Sequence, residues 1–189
     1  MGFFFNLDFA ADPSIGHPKP NRKTRLACAL PKGDRQGWML ELVTQLGITD
    51  FIPLLCARSV ARSGRGSYER WQRIVIETCK QCHRPWLPDL RSEITPHTLL
   101  RAKSSPNEVV LLADEGGKSM GLLDLDDRLS NRLILVGPEG GFSIEEREHF
   151  LECGATAICL SENNLRIESA AAALVSLVAN QVHNMEDGS

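Results

Sequence analysis

Short aliphatic runs alternate along this chain with segments of helical periodicity. Leu26–Leu30, Phe51–Leu55, Val109–Ala113, Leu133–Val136 and Ala157–Leu160 are continuous apolar runs rather than alternating ones. That pattern belongs to strands buried on both faces, and hence to a parallel sheet with helices on either side. Over 34–46, Met39, Leu42, Val43 and Leu46 recur at helical spacing, with Gly47 as the stop. A second helix is predicted over 68–83, with Trp71, Ile74, Val75, Thr78, Cys79 and Cys82 as its apolar stripe. Ser143 followed by Glu146 is a capping box that opens a helix running to about Glu152. The last helix, from about Glu168 to His183, begins Ala170–Ala173 and continues Leu174, Val175, Leu177, Val178 and Val182. It is apolar nearly all round at its start, so it lies in the core or in a subunit contact. The class is α/β. Pro13, Gly16, Pro18 and Pro20 mark an extended arm, giving an arm over 1–25 and one domain over 26–185.

Composition narrows the function classes. At 189 residues, 42% hydrophobic, the chain can bury a substantial core. No run reaches the roughly 18–20 apolar residues of a membrane span, and Phe3–Phe5, interrupted by Asn6 and Asp8 without a preceding cation, makes a poor export signal. The expected location is therefore the cytoplasm, with the six cysteines as reduced thiols. The net charge of −3 conceals a division. Residues 19–91 carry 14 basic and 6 acidic side chains, whereas residues 92–189 carry 7 and 16. A positive half can face a polyanion while the chain stays acidic overall. The candidate RNA-binding cations are Arg58, Arg62 and Arg65 in a glycine-containing loop, then Arg70, Arg73 and Lys80, which with Arg84 share one side of the 68–83 helix. The competing reading is an ordinary solvated helix face.

Three motifs fail on inspection. Cys79-Lys-Gln-Cys82-His83 has haem-attachment spacing, but both thiols fall on an apolar stripe, and no second ligand pair stands at a spacing that would hold zinc. Gly117-Lys118-Ser119 lacks the earlier glycine of a P-loop, since Leu112 stands there. Gly64-Arg65-Gly66 has Glu69 in place of the third glycine of a dinucleotide fingerprint. No metal site is expected. The informative segments are three strand ends. Ala113 leads into Asp114-Glu115-Gly116-Gly117, Val136 into Gly137-Pro138-Glu139-Gly140-Gly141-Phe142-Ser143, and Leu160 into a loop reaching Leu165-Arg166-Ile167-Glu168. In a parallel sheet these emerge on one edge, where α/β proteins bind ligands.

Gly137-Pro-Glu-Gly-Gly-Phe-Ser143 with Glu146, together with Leu165-Arg-Ile-Glu-Ser-Ala170, resembles the bacterial 16S ribosomal RNA uridine-N3 methyltransferases (ribosomal RNA small subunit methyltransferase E) of the SPOUT superfamily. Gln45-Leu-Gly47 with Pro53, and Gln81-Cys-His-Arg84, support the likeness, which covers about residues 26–182. Leu42, Gln45 and Ser169 depart from the usual residues; Ser169 keeps the hydroxyl of the more usual threonine. The resemblance implies a SPOUT-type parallel sheet ending in a deep trefoil knot, one of the rare exceptions to unknotted topology. It implies a homodimer acting on 16S ribosomal RNA or the small ribosomal subunit, with S-adenosyl-L-methionine in the knotted loops. The implied cofactor-binding residues are Ala113, Val136, Gly137, Pro138, Glu139, Gly140, Gly141, Leu160, Leu165, Arg166 and Ser169. The family's N-terminal PUA-like barrel is expected to be missing, because 25 residues precede Leu26. Arg166 is the first candidate to stabilise charge on the uracil, unless Glu168 merely holds it in an ion pair, and Arg84, from the partner subunit, is the second. Glu168 and Glu139 are candidate bases, with water as the alternative. The alternative function is a non-catalytic RNA-binding or ribosome-assembly protein that retains the knotted core.

Overall fold

The computed structural model describes residues 19–101, 108–119 and 131–183, with side chains to 179. Its centre is built from the continuous apolar runs. Strands β1 (Thr24–Ala29), β2 (Asp50–Leu54), β3 (Asp89–Leu90), β4 (Val109–Ser119), β5 (Arg132–Val136) and β6 (Thr156–Cys159) form one sheet in the order β3-β2-β1-β5-β4-β6. Every pairing is parallel. The helices are α1 (Arg35–Gln45), α2 (Ser67–Gln81), α3 (Pro96–Arg101), α4 (Ile144–Glu152) and α5 (Ile167–His183). Helix α1 packs against α2 and α5, α5 lies along β1 and β5, and α3 packs against α4. Leu26–Ala29, Phe51, Ile52, Leu54 and Leu133–Val136 are buried, as strands covered on both faces require.

The expected α/β class is found, with differences at element ends. β1 begins two residues before the apolar run because Arg25 donates to both oxygens of Glu108 at 3.1 Å. The polar sheet end is thereby buried without an unpaired charge, and Thr24 and Arg25 belong to the sheet rather than to the arm. The rest of the expected arm, to residue 18, lies outside the described residues, as do 184–185 and the 120–130 segment between β4 and β5. Helix α2 ends at Gln81, before the expected His83. His83 takes a left-handed φ of 56°, Arg84 N–H donates to Cys79 O at 2.9 Å, and His83 N–H donates to Lys80 O at 3.4 Å. This pair of bonds is a Schellman ending, and it carries Arg84 off the helix.

β4 is longer than its apolar run. Ala113 and Lys118 both pair with Ile158, so residues 114–117 bulge out of the ladder. The Asp114 carboxylate accepts from Gly116 N–H at 2.8 Å and shapes the bulge. Gly117 then presses on β6, where a Cβ would stand 2.5 Å from the Ala157 carbonyl carbon.

Candidate functional site

The parallel sheet brings the ends of β4, β5 and β6 to one edge, and there a cavity of about 520 Å3 opens between them. The bulge supplies Asp114, Glu115 and Gly116, the β5–α4 turn supplies Gly137 to Phe142, and the β6–α5 connection supplies Leu160, Ser161, Asn163, Asn164 and Leu165. Val136, Ile158, Ile167 and Ala170 give it an apolar floor, and Arg147 reaches in from α4. Such a cavity pairs apolar surface with a few convergent polar groups, as small-molecule sites do.

The glycine turn and the bulge are each held by nameable contacts. Gly141 N–H donates to Pro138 O at 2.8 Å, and Gly141 sits at φ 70°, a conformation a side chain would strain. Ser143 caps α4 as the sequence predicts: its hydroxyl accepts from Glu146 N–H at 3.2 Å, while Glu146 Oε2 accepts from Ser143 N–H at 2.9 Å. The other oxygen of Glu146 accepts from Ala57 N–H at 2.7 Å. The loop after β2 is thus fastened to the glycine turn. Arg58, from that loop, donates to Gly140 O at 2.7 Å. Arg147 pairs with Asp114 and braces the bulge against α4.

Of the eleven residues implied for the cofactor, nine line the cavity: Ala113, Val136, Gly137, Pro138, Glu139, Gly140, Gly141, Leu160 and Leu165. Arg166 and Ser169 are exposed and do not line it. Glu168, a candidate base, is placed apart from the cavity lining. It is 1% exposed and accepts from Arg35 at 3.3 Å. Arg35 takes one oxygen of Glu168, the other is buried without a hydrogen-bond partner, and no ion pair joins Glu168 to Arg166 among the described residues. Arg35 also reaches Glu139 at 3.4 Å and so links α1 to the glycine turn. Glu139, the other candidate base, does line the cavity.

Arg84 is likewise placed away from the cavity of its own chain. It is 7% exposed, its guanidinium donates to Thr44 O at 2.6 Å and to Ile48 O, and it lies 3.4 Å over the Trp86 ring. These groups sit just before β2, at the sheet edge opposite the cavity. Burial lowers its pKa to about 10, still cationic at neutral pH, and its donors satisfy carbonyls near the end of α1. The expected stripe of four cations therefore loses Arg84. Of the remainder, Arg70 pairs with Asp34 at 3.3 Å, Lys80 with Glu77 at 3.0 Å, and Arg73 donates to Glu69 O at 3.3 Å. Arg62 and Arg65 are exposed on the loop between β2 and α2.

Among the described residues the six cysteines are free. Burial drives the Cys28 thiol well above its ordinary pKa, Cys56 up to about 12 and Cys79 up to about 11. None of these three is primed as a nucleophile. Sequence reasoning missed Asp114, Glu115 and Arg147 as individual lining residues, although it located the 114–117 loop. A cation one helical turn along α4 and a strand-end aspartate gave no linear signal that they would pair.

Residues 17–179 match the RNA methyltransferase domain family. The ribosomal RNA small subunit methyltransferase E of Rickettsia conorii is 33% identical over 177 residues, covering 92% of this chain and 70% of that protein. The protein of the same name from Synechocystis is 32% identical over 148 residues, covering 77% of this chain and 49% of the relative. The chain thus spans about half the length of that relative. A crystal structure of ribosomal RNA small subunit methyltransferase E from Neisseria gonorrhoeae, bound to S-adenosyl methionine, superposes with a TM-score of 0.77 at 25% identity, covering 85% of this chain and 66% of that one.

Proposed function

The chain belongs to the RNA methyltransferase domain family, and from that premise we propose that it transfers a methyl group from S-adenosylmethionine to N3 of a uridine in 16S ribosomal RNA. The observation that carries this reading is the cavity at the ends of β4, β5 and β6, bordered by glycine backbone and floored by aliphatic side chains. The fit to the cofactor is chemical. A nucleoside needs an apolar slot with bare backbone for its polar edges. Val136, Ile158, Leu160 and Leu165 offer the first, and the backbone of Gly116, Gly137, Gly140 and Gly141 the second. A Cβ at Gly137 would meet the Phe142 ring at 3.0 Å, so a larger residue there requires that ring to shift. Three carboxylates, Asp114, Glu115 and Glu139, line the cavity against one cation, Arg147; Asp114 and Glu139 are held in ion pairs by Arg147 and Arg35, which leaves Glu115 as the carboxylate without one among the described residues.

S-adenosylmethionine, when bound, supplies an electrophilic methyl group. The protein positions the uracil and manages its charge. N3 carries an imide proton, and its removal spreads negative charge onto the two ring oxygens. Arg166, exposed beside the β6–α5 loop and released from Glu168, is assigned to that charge; a donor so placed contributes about 3–4 kcal/mol. Glu139 is the carboxylate at the cavity assigned to the proton. Ser169 keeps its proposed place near the cofactor through its hydroxyl, outside the lining itself. The exposed cations Arg58, Arg62, Arg65, Arg70, Arg73 and Lys80 are assigned to the RNA backbone.

The same proposal includes a trefoil knot formed by the cavity loops, supported by the position of β5 between β1 and β4. It includes a homodimer through α1 and α5, which pack together while Trp38 stays 53% exposed and Leu177 half-buried. It places the protein in the cytoplasm, with the ribosomal substrate. No described helix is long and apolar enough to cross a membrane.

Calorimetry with S-adenosylmethionine, followed by methylation of small ribosomal subunits, tests the proposal. Cofactor binding with methylation that Arg166→Ala abolishes in a folded protein is the expected result. Normal methylation by Arg166→Ala removes that residue's role. Absence of cofactor binding by folded dimer overturns the enzyme reading and favours a non-catalytic RNA-binding protein.

A further inference from the structure

The basic half of the chain separates into cations with a partner inside the protein and cations without one. Arg58 is held by Gly140 O, Arg70 by Asp34, Lys80 by Glu77 and Arg84 by the carbonyls near β2. Arg62 and Arg65 stand exposed, with no ion pair among the described residues, and Arg73 uses only Nε. From 58 to 73 the chain carries five arginines and one acid, Glu69. The neighbouring Glu93 accepts from Ser63 N–H at 2.9 Å.

An aromatic ring sits among these cations. Tyr68 lies three and seven residues before Trp71 and Val75, so it continues their stripe on α2. Trp71 and Val75 are 3% and 2% exposed, whereas Tyr68 is 51% exposed. The stripe runs off the core at the first turn of α2, where the loop from β2 arrives. That loop is tied to the glycine turn by Glu146 and Arg58. The ring and the cations therefore share the sheet edge that holds the cavity.

We propose that Tyr68 is a base-stacking platform and that Arg62 and Arg65, on the loop that leads into its helix turn, serve it as phosphate contacts, together gripping a single-stranded stretch of RNA next to the cavity. The inference rests on the RNA methyltransferase reading above and adds the state of the substrate. An aromatic ring among arginines is the arrangement that binds unpaired nucleotides: every base has a face to stack, and phosphates follow the cations. An A-form duplex keeps its base faces stacked internally and presents only its backbone and groove edges. N3 of uridine lies on the pairing edge of the base, so a uridine methylated there must also be unpaired.

The chain's one tyrosine allows a direct test. The full chain, loaded with S-adenosylmethionine and labelled at the tyrosine ring, is titrated with oligouridylate and with the same strand annealed to oligoadenylate, while ring resonances and affinity are followed. The single strand shifts the ring signals upfield and binds more tightly than the duplex. Tyr68→Ala weakens single-strand binding roughly 5- to 150-fold, the conversion of about 1–3 kcal/mol of base–aromatic stacking, while Tyr68→Phe binds like the parent. Arg62→Ala with Arg65→Ala lowers the salt slope by about 1.4, at roughly 0.7 per phosphate contact on a single strand. If RNA binds without moving the ring signals, or if Tyr68→Ala binds as the parent does, the platform is refuted and the methyltransferase reading stands. If the loaded protein binds neither RNA, the platform is refuted, while the methyltransferase reading stands or falls on methylation of small ribosomal subunits.

Discussion

Gly117→Ala is a small change with a large expected effect. The added Cβ would lie 2.5 Å from the Ala157 carbonyl carbon and 2.6 Å from that of Ile158, against 3.4 Å or more for ordinary contact. The two backbones would have to separate by about 0.9 Å, the difference between those distances. No flexible side-chain end can give way, because the atoms met are backbone atoms of β6. Among the described residues that strand is the edge of the sheet and pairs with β4 alone, so it moves outward as a unit. Ile158, Cys159 and Leu160 line the cavity, and they would move with it. Overpacking of this kind costs about 1–3 kcal/mol, and each weakened backbone bond adds about 0.5–1.5 kcal/mol. Urea unfolding should show at least about 1.5 kcal/mol of lost stability, and calorimetry a weaker S-adenosylmethionine complex. Gly64→Ala is the control, since its Cβ meets only Ser67 Oγ at an ordinary 3.8 Å and Gly64 lies outside the cavity lining. Parent stability within about 0.5 kcal/mol, with unchanged cofactor affinity, would refute the claim that close approach at Gly117 sets the cavity wall.

Other outcomes follow from single contacts. Glu146→Ala removes a capping box and the bond to Ala57 N–H, so unfolding free energy should fall by about 1–3 kcal/mol and cofactor affinity should fall with it; Glu146→Gln keeps an acceptor and loses less. Arg84→Lys surrenders the fork that serves two carbonyls and should cost about 2–3 kcal/mol in urea unfolding while leaving cofactor binding intact; lost methylation at parent stability would restore Arg84 to the chemistry. Stability should decline in alkali. The buried Cys56 and Cys79 thiols hold their protons up to about 12 and 11, against an ordinary 9.0. The unfolded chain releases them first, so their contribution is complete below about 9 and is lost as pH rises through the folded values. Urea midpoints across that window should drop less in a Cys56→Ala/Cys79→Ala variant, and an equal drop would show that other groups govern the alkaline limb.

Much of this was legible in the sequence because its strongest signals are local. Continuous aliphatic runs located five strands, and Ser143 with Glu146 located the start of α4 to the residue. The three strand-end loops could be placed on one edge because a parallel sheet forces that geometry. What escaped depended on contacts between distant residues. β3 has two residues and α3 six, too short for periodicity to show. Arg84 fell on the helical stripe only while the helix was assumed to continue, and the left-handed His83 ended it early. Arg35 carried no motif, yet it pairs with Glu168 and Glu139 across more than a hundred residues. That pairing sets Glu168 outside the cavity lining, with Arg166 exposed, a distinction that Leu165-Arg-Ile-Glu168 alone does not contain.

The central claim is that the glycine-bordered cavity serves methyl transfer to N3 of uridine in ribosomal RNA. Incubation of the purified chain with methyl-labelled S-adenosylmethionine and unmodified small ribosomal subunits, followed by nuclease digestion and mass spectrometry, tests it most directly. The account predicts label in N3-methyluridine at one position of the ribosomal RNA, absent with Arg166→Ala. Label on another atom, or no transfer by a chain that binds the cofactor, would contradict it.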